Sequence, residues 1–113
     1  MPLTAANFRR EVLDSKQPVC VEFTAEWCGS SHIMAPAMRE IAIRFKDDVK
    51  FCRLNVDEYQ DIAREYAVQR IPTILLFLNS QVVDSMSGAL PKKILTQKLK
   101  GLIQEHNGDY DAK

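Results

Sequence analysis

Cysteine is scarce in this chain, and so is any charge excess. The three cysteines, Cys20, Cys28 and Cys52, cannot all pair internally, and their spacings are not those of a disulfide framework. A reducing, cytoplasmic setting is therefore expected. The cysteines, His32 and His106 show no Cys-x2-Cys or His-x3-His spacing, so neither a metal nor a cofactor is expected. The 15 Lys plus Arg balance the 15 Asp plus Glu, which leaves no electrostatic footprint for nucleic acid or an anionic membrane. The longest aliphatic and aromatic run, Ile74-Leu75-Leu76-Phe77-Leu78, is far short of a membrane span of about 20 residues. The N-terminus lacks the apolar stretch of a secretory signal. Without repeats, low-complexity segments or linkers, a single domain over residues 1–106 is expected, with 107–113 as a flexible tail. A monomer is expected. At 113 residues, 46% hydrophobic and 27% charged, the chain has the balance of a globular protein with a sizeable core.

What is present alternates between the two secondary-structure periods. Thr4 is placed to cap a helix carrying Phe8, Val12 and Leu13 on one stripe and ending near Ser15. Gln17-Pro18 turns the chain into Val19 to Thr24, a β-branched and aromatic run with the character of a central strand. A helix should follow from near Cys28 to about Lys46, burying Ile33, Met34, Ala37, Met38, Ile41 and Phe45, with Pro36 inside it. Val49 to Val56 reads as a strand, and Asp57 as the cap of a short helix through Tyr66. Thr73 to Leu78, the turn Asn79-Ser80 and Gln81 to Met86 read as a hairpin. Gly88 then separates it from a last helix, Pro91 to about His106. The order predicts an α/β fold.

Chemistry concentrates at Trp27-Cys28-Gly29-Ser30-Ser31, where a strand pattern gives way to a helical one. A cysteine at the first turn of a helix faces unpaired backbone N–H groups and the positive end of the helix dipole, and both favour thiolate over thiol. The thiolate is the nucleophile. Cys20 and Cys52 instead lie inside strand patterns, as inert thiols packed like small hydrophobes. Glu22 sits in the middle of an apolar strand, where burial should raise its pKa.

The segment Val21-Glu22-Phe23-Thr24-Ala25-Glu26-Trp27-Cys28-Gly29-Ser30-Ser31, with Arg70-Ile71-Pro72-Thr73 and Ser87-Gly88-Ala89-Leu90 after it, resembles the thioredoxin family over roughly residues 3–105. The resemblance implies the thioredoxin fold, a mixed central sheet of four to five strands flanked by about four helices. It also implies a thiol-disulfide oxidoreductase (a protein-disulfide reductase) in which Cys28 attacks disulfide-containing substrate proteins. Trp27, Gly29, Ser30, Ile71, Pro72, Ser87, Gly88 and Ala89 would form the substrate surface, with Ile71-Pro72 at the place of the family's cis-proline. Glu22 matches an acid that moves protons for the second cysteine, and Arg53 in the neighbouring strand is its expected ion-pair partner.

One position departs from the pattern. Ser31 stands where the family has its second cysteine, so no internal disulfide can form there and a mixed disulfide on Cys28 needs an outside thiol for release. This also puts the proton task of Glu22 in question. Ser30 replaces the usual proline, and His32 sets a titratable group beside it. Two origins of Ser31 stay open: a natural monothiol protein, or an engineered form of a dithiol parent that thioredoxin reductase would recycle. Two other functions stay open as well. One is a monothiol glutaredoxin-like protein binding glutathione and an iron–sulfur cluster, which Trp27 and Ile71-Pro72-Thr73 disfavour; the other is a non-catalytic binding module.

Overall fold

The computed structural model describes residues 1–108. Its elements run β1 (Val19–Thr24), α1 (Gly29–Arg44), β2 (Lys50–Asn55), α2 (Gln60–Glu65), β3 (Thr73–Leu78), β4 (Gln81–Ser87) and α3 (Lys92–Asn107), after an N-terminal π-helical turn at Arg9–Leu13. The sheet order is β2-β1-β3-β4, with β1 parallel to β2 and antiparallel to β3, and β3 antiparallel to β4. This is the mixed sheet of the thioredoxin fold with helices on both faces.

The two central strands, β1 and β3, are buried at every position. Alternate side chains of a strand point to opposite faces, and the core divides accordingly. On one face Cys20, Ile74, Leu76 and Leu78 pack with Met34, Ile41 and Phe45 of the α1 segment and Leu95, Leu99 and Leu102 of α3. On the other, Val19, Val21, Phe23, Leu75 and Phe77 pack with Cys52, Leu54, Phe8, Val12 and Ala63. Glu22 and Thr24 share the parity of Cys20, so both point toward α1.

Several expectations are adjusted by packing. Ile33 is 82% exposed, because the stripe that faces the sheet is Met34, Met38, Ile41 and Phe45, and Ile33 lies about a quarter-turn away from it. Asp57 does not cap α2: that helix begins at Gln60 with Tyr59 as N-cap and no side-chain cap. Thr4 does act as a cap. Its Oγ1 accepts from the Asn7 N–H at 3.2 Å while Asn7 Oδ1 accepts from the Thr4 N–H at 2.7 Å, but the turn that follows closes as a π-helix, with Asp14 N–H donating to Arg9 O at 2.8 Å. At the hairpin, Asn79 and Ser80 take positive φ of 53° and 71°, as the tight turn between β3 and β4 requires. Asn107 closes α3 and Gly108 is its left-handed cap, so the expected tail falls, for residues 109–113, outside the described residues. Among the described residues no helix is long and apolar enough to cross a membrane.

Three strand ends meet in one row, Phe23 opposite Thr73 and Thr73 opposite Ser87. The loops leaving these ends carry the residues described next.

Candidate active site

β1 ends at Thr24, and the Cys28 N–H donates back to Ala25 O at 3.1 Å, closing a turn. Cys28 is extended (φ −81°, ψ 103°) and is the N-cap of α1; its carbonyl accepts the His32 N–H at 3.3 Å. Its side chain makes no capping hydrogen bond. The N–H groups of the first turn of α1 therefore receive no side-chain cap from Cys28. Cys28 is 5% exposed, yet Trp27, Gly29 and Ser30 around it are exposed. The thiol sits just beneath a surface rim.

Ser31 lies on the buried side of the first turn of α1, at 2% exposure. The Thr24 hydroxyl donates to Ser31 Oγ at 2.5 Å. On the outer side the Trp27 indole Nε1–H donates to Asp57 Oδ2 at 2.8 Å, and His32 Nε2 is 2.7 Å from Glu26 O, where a carbonyl can only accept, so Nε2 carries the proton. These contacts hold the Glu26-Trp27-Cys28 loop from both ends.

The second loop supplies Ile71-Pro72, joined by a cis peptide bond. Pro72 O accepts the Gly88 N–H at 2.7 Å, and Thr73 Oγ1 lies 3.1 Å from Ser87 Oγ, so the Ile71-Pro72 loop and the Ser87–Ala89 segment are tied side by side. Gly88 has φ +87°, which explains glycine there, since a Cβ would meet nothing within 4 Å. Leu90 N–H contacts Met34 Sδ at 3.4 Å and brings this segment against α1. The expected site residues Trp27, Cys28, Gly29, Ser30, Ile71, Pro72, Ser87, Gly88 and Ala89 are therefore carried on adjoining loops at one end of the sheet.

Glu22 lies apart from that rim, buried between β1 and α1. Arg53 Nε is 3.5 Å from Glu22 Oε1, across the Glu22–Arg53 register pair of β1 and β2. Burial raises the Glu22 carboxyl, and the Arg53 guanidinium pulls it partly back. Beside it is a cavity of about 230 Å³ lined by Glu22, Met38, Arg39, Phe51, Cys52 and Arg53. Burial also pushes the Cys20 and Cys52 thiols up, and both are unpaired strand residues on opposite sheet faces. Among the described residues no group of three or more His, Cys, Asp and Glu side chains is arranged to hold a metal ion.

Sequence reasoning did not single out Thr24 or Asp57 as site residues. Thr24 carries a signal, lying two residues beyond Glu22 and so on the same strand face. Asp57 carries none, because its partner is 30 residues away in the chain.

The thioredoxin family model matches residues 1–101. Thioredoxin 1 of Synechococcus elongatus is 42% identical over 97 residues, covering 86% of this chain and 91% of the relative. Thioredoxin of Chlorobaculum thiosulfatiphilum is 40% identical over 105 residues, 93% of this chain and 94% of the relative. The chloroplastic M-type thioredoxin of Chlamydomonas reinhardtii is 41% identical over 94 residues, 83% of this chain and 67% of the relative. Likeness of this extent, on a sheet of this order, shows that the chain belongs to the thioredoxin family of thiol-disulfide redox proteins.

Proposed function

We propose that the chain is a monothiol thioredoxin-type oxidoreductase in which Cys28 attacks protein disulfides and the reaction halts at the mixed disulfide. The Cys28 thiolate attacks one sulfur of R–S–S–R′; a Cys28–S–S–R bond forms, the substrate S–S bond breaks, and its electron pair leaves on R′–S⁻. An outside thiolate then attacks the mixed disulfide and Cys28 leaves as thiolate. The observation that carries this reading is the placement of Cys28 as N-cap of α1 with Ser31 three residues on. Cys20 and Cys52, held inside β1 and β2 with raised thiols, are no substitute for the missing resolver.

Trp27, Gly29, Ser30, Pro72, Ser87, Gly88 and Ala89 form the surface that the substrate meets. Ile71 adds backbone to it: among the described residues no backbone hydrogen bond engages Ile71, whose N–H and C=O are left to pair with an extended substrate segment. Family members act on disulfide substrates and are reduced by thioredoxin reductase. Here the reductase step requires a second thiol, which Ser31→Cys would supply.

The test is mass spectrometry after mixing with a disulfide substrate. A persistent adduct on Cys28 is expected, absent in Cys28→Ala, and Ser31→Cys should create reductase-coupled insulin reduction. An unreactive Cys28 would sink the reading in favour of a binding module.

A further inference from the structure

Arg70 directly precedes Ile71-Pro72, and its backbone is held: the hydroxyl of buried Thr73 donates to Arg70 O at 2.5 Å. Its side chain is exposed, and among the described residues no carboxylate pairs with it. Beside it a cleft of about 140 Å³ opens between the loop 66–70 and the β3–β4 pair, lined among others by Tyr66, Gln69, Arg70, Thr73, Ser85 and Ser87. Small-molecule sites run to roughly 300–1,000 Å³, so this cleft is on the scale of a single side chain. Thr73 pairs with Ser87 and Leu75 with Ser85, which puts these four side chains on one sheet face as its floor. The Thr73 proton is spent on Arg70 O, so at the 3.1 Å contact between Thr73 Oγ1 and Ser87 Oγ the donor is Ser87. Arg70 and the Ser85 hydroxyl are left with unspent donors, and no Asp or Glu lines the cleft. Glu65 and Arg9 act on Tyr66 with opposite sign, so Arg70 sets the charge that an entering group meets.

We propose that this cleft is a side-chain subsite that receives an Asp or Glu carboxylate flanking the substrate cysteine, with Arg70 as the residue that sets the specificity. The inference rests on the monothiol reading above and names its substrate class, protein disulfides with acidic neighbours. Ser87 belongs both to the cleft and to the surface that the substrate meets, so the two are continuous. A segment extended along the free backbone of Ile71 sends successive side chains to alternate sides, and one beside the cysteine passes Arg70. A guanidinium takes a carboxylate through two parallel N–H donors, and the Ser85 O–H adds a third. The Trp27 side of the rim carries the exposed acids Glu26, Asp57 and Glu58. The rim therefore has two signs, which disfavours the reversed placement of an acidic segment.

The experiment follows the Cys28 adduct by mass spectrometry with symmetric disulfides of the peptides Gly-Asp-Cys-Asp-Gly, Gly-Ser-Cys-Ser-Gly and Gly-Lys-Cys-Lys-Gly. Each rate is divided by that of the same disulfide with 2-mercaptoethanol, which removes the effect of flanking charge on the leaving thiol. At low salt the parent is expected to prefer the acidic peptide to the neutral one about threefold, the scale of an exposed ion pair, and to disfavour the basic one. Arg70→Ala should bring the ratio to about one, and Arg70→Glu should invert it. Ser85→Asp, which places a carboxylate inside the cleft, should abolish the preference with Arg70 intact. In 1 M salt, where the Debye length is about 3 Å, the ratio should fall toward one. A parent ratio near one, or a preference that Arg70→Ala or Ser85→Asp leaves unchanged, overturns the subsite while the adduct on Cys28 keeps the monothiol reading. A parent that forms no Cys28 adduct with any of the peptides overturns that reading and the subsite with it.

Discussion

Trp27 and Asp57 are joined by a 2.8 Å hydrogen bond from the indole N–H to a carboxylate oxygen, which ties the loop ahead of α1 to the loop after β2. The indole is otherwise 69% exposed, so this single bond orients a large apolar ring at the rim of the Cys28 site. A free ring would pay rotamer entropy on meeting a substrate, and a fixed one has paid it in advance.

Asp57→Ala is therefore expected to slow mixed-disulfide formation on Cys28 severalfold while changing stability by less than about 1 kcal/mol, since the bond is exposed. Trp27 is the only tryptophan, so intrinsic fluorescence reports its release directly. Unchanged fluorescence together with an unchanged rate would show that the bond does not orient the ring.

Glu22 offers a pH test. Its folded-state pKa is raised above the ordinary value of 4.5, chiefly by burial. The native state then holds its proton where the unfolded chain has lost it, so stability is fully present below 4.5 and declines as pH rises through the raised value. Glu22→Gln keeps the shape and removes the charge, and Arg53, largely exposed, loses little. The variant should be more stable than the parent by about 1 kcal/mol at neutral pH, and the gain should vanish in acid. Denaturant melts at the two pH values decide this.

Leu99, fully buried in the layer between α3 and the sheet, tests the core. Leu99→Ala should cost about 2–5 kcal/mol, through lost burial and the cavity left behind. A loss under about 1 kcal/mol in urea melts would mean that α3 packs more loosely than the structure shows.

Two glycines should respond with opposite sign. Gly101→Ala, in the exposed middle of α3 with nothing within 4 Å of an added Cβ, should stabilise by about 0.5–1 kcal/mol. Gly88→Ala meets equally open space, but φ is +87° and the substitution should destabilise by about 1–2 kcal/mol. Equal effects in thermal melts would contradict the backbone explanation.

Much of this architecture is legible along the chain. The apolar and β-branched run Val19–Thr24, interrupted only by Glu22 before its closing Thr24, marks a strand buried on both faces, and it is the strand found, residue for residue. Asn79-Ser80 between two β-rich runs marks the hairpin, and Pro91 before a helical stripe marks the start of α3. Cys28 is legible because a cysteine at a strand-to-helix junction is a local event. Ile33 shows where periodicity runs short: several apolar residues fit a stripe of helical spacing, and only the helix's rotation against the sheet determines which of them meet it.

The sequence by itself determined the elements, the class of fold and the presence of one cysteine at a helix start, because dihedral preference and hydrophobic period act between near neighbours. Only the tertiary structure decided what that cysteine is surrounded by. Trp27 finds Asp57 across 30 residues, a partner that nothing along the chain marks. Gly88 finds Pro72 by the register of β3 and β4, and Thr24 finds Ser31 because β1 and α1 fold back on one another. Such partners are set by register and packing, which close long loops at a cost in entropy that the whole core offsets.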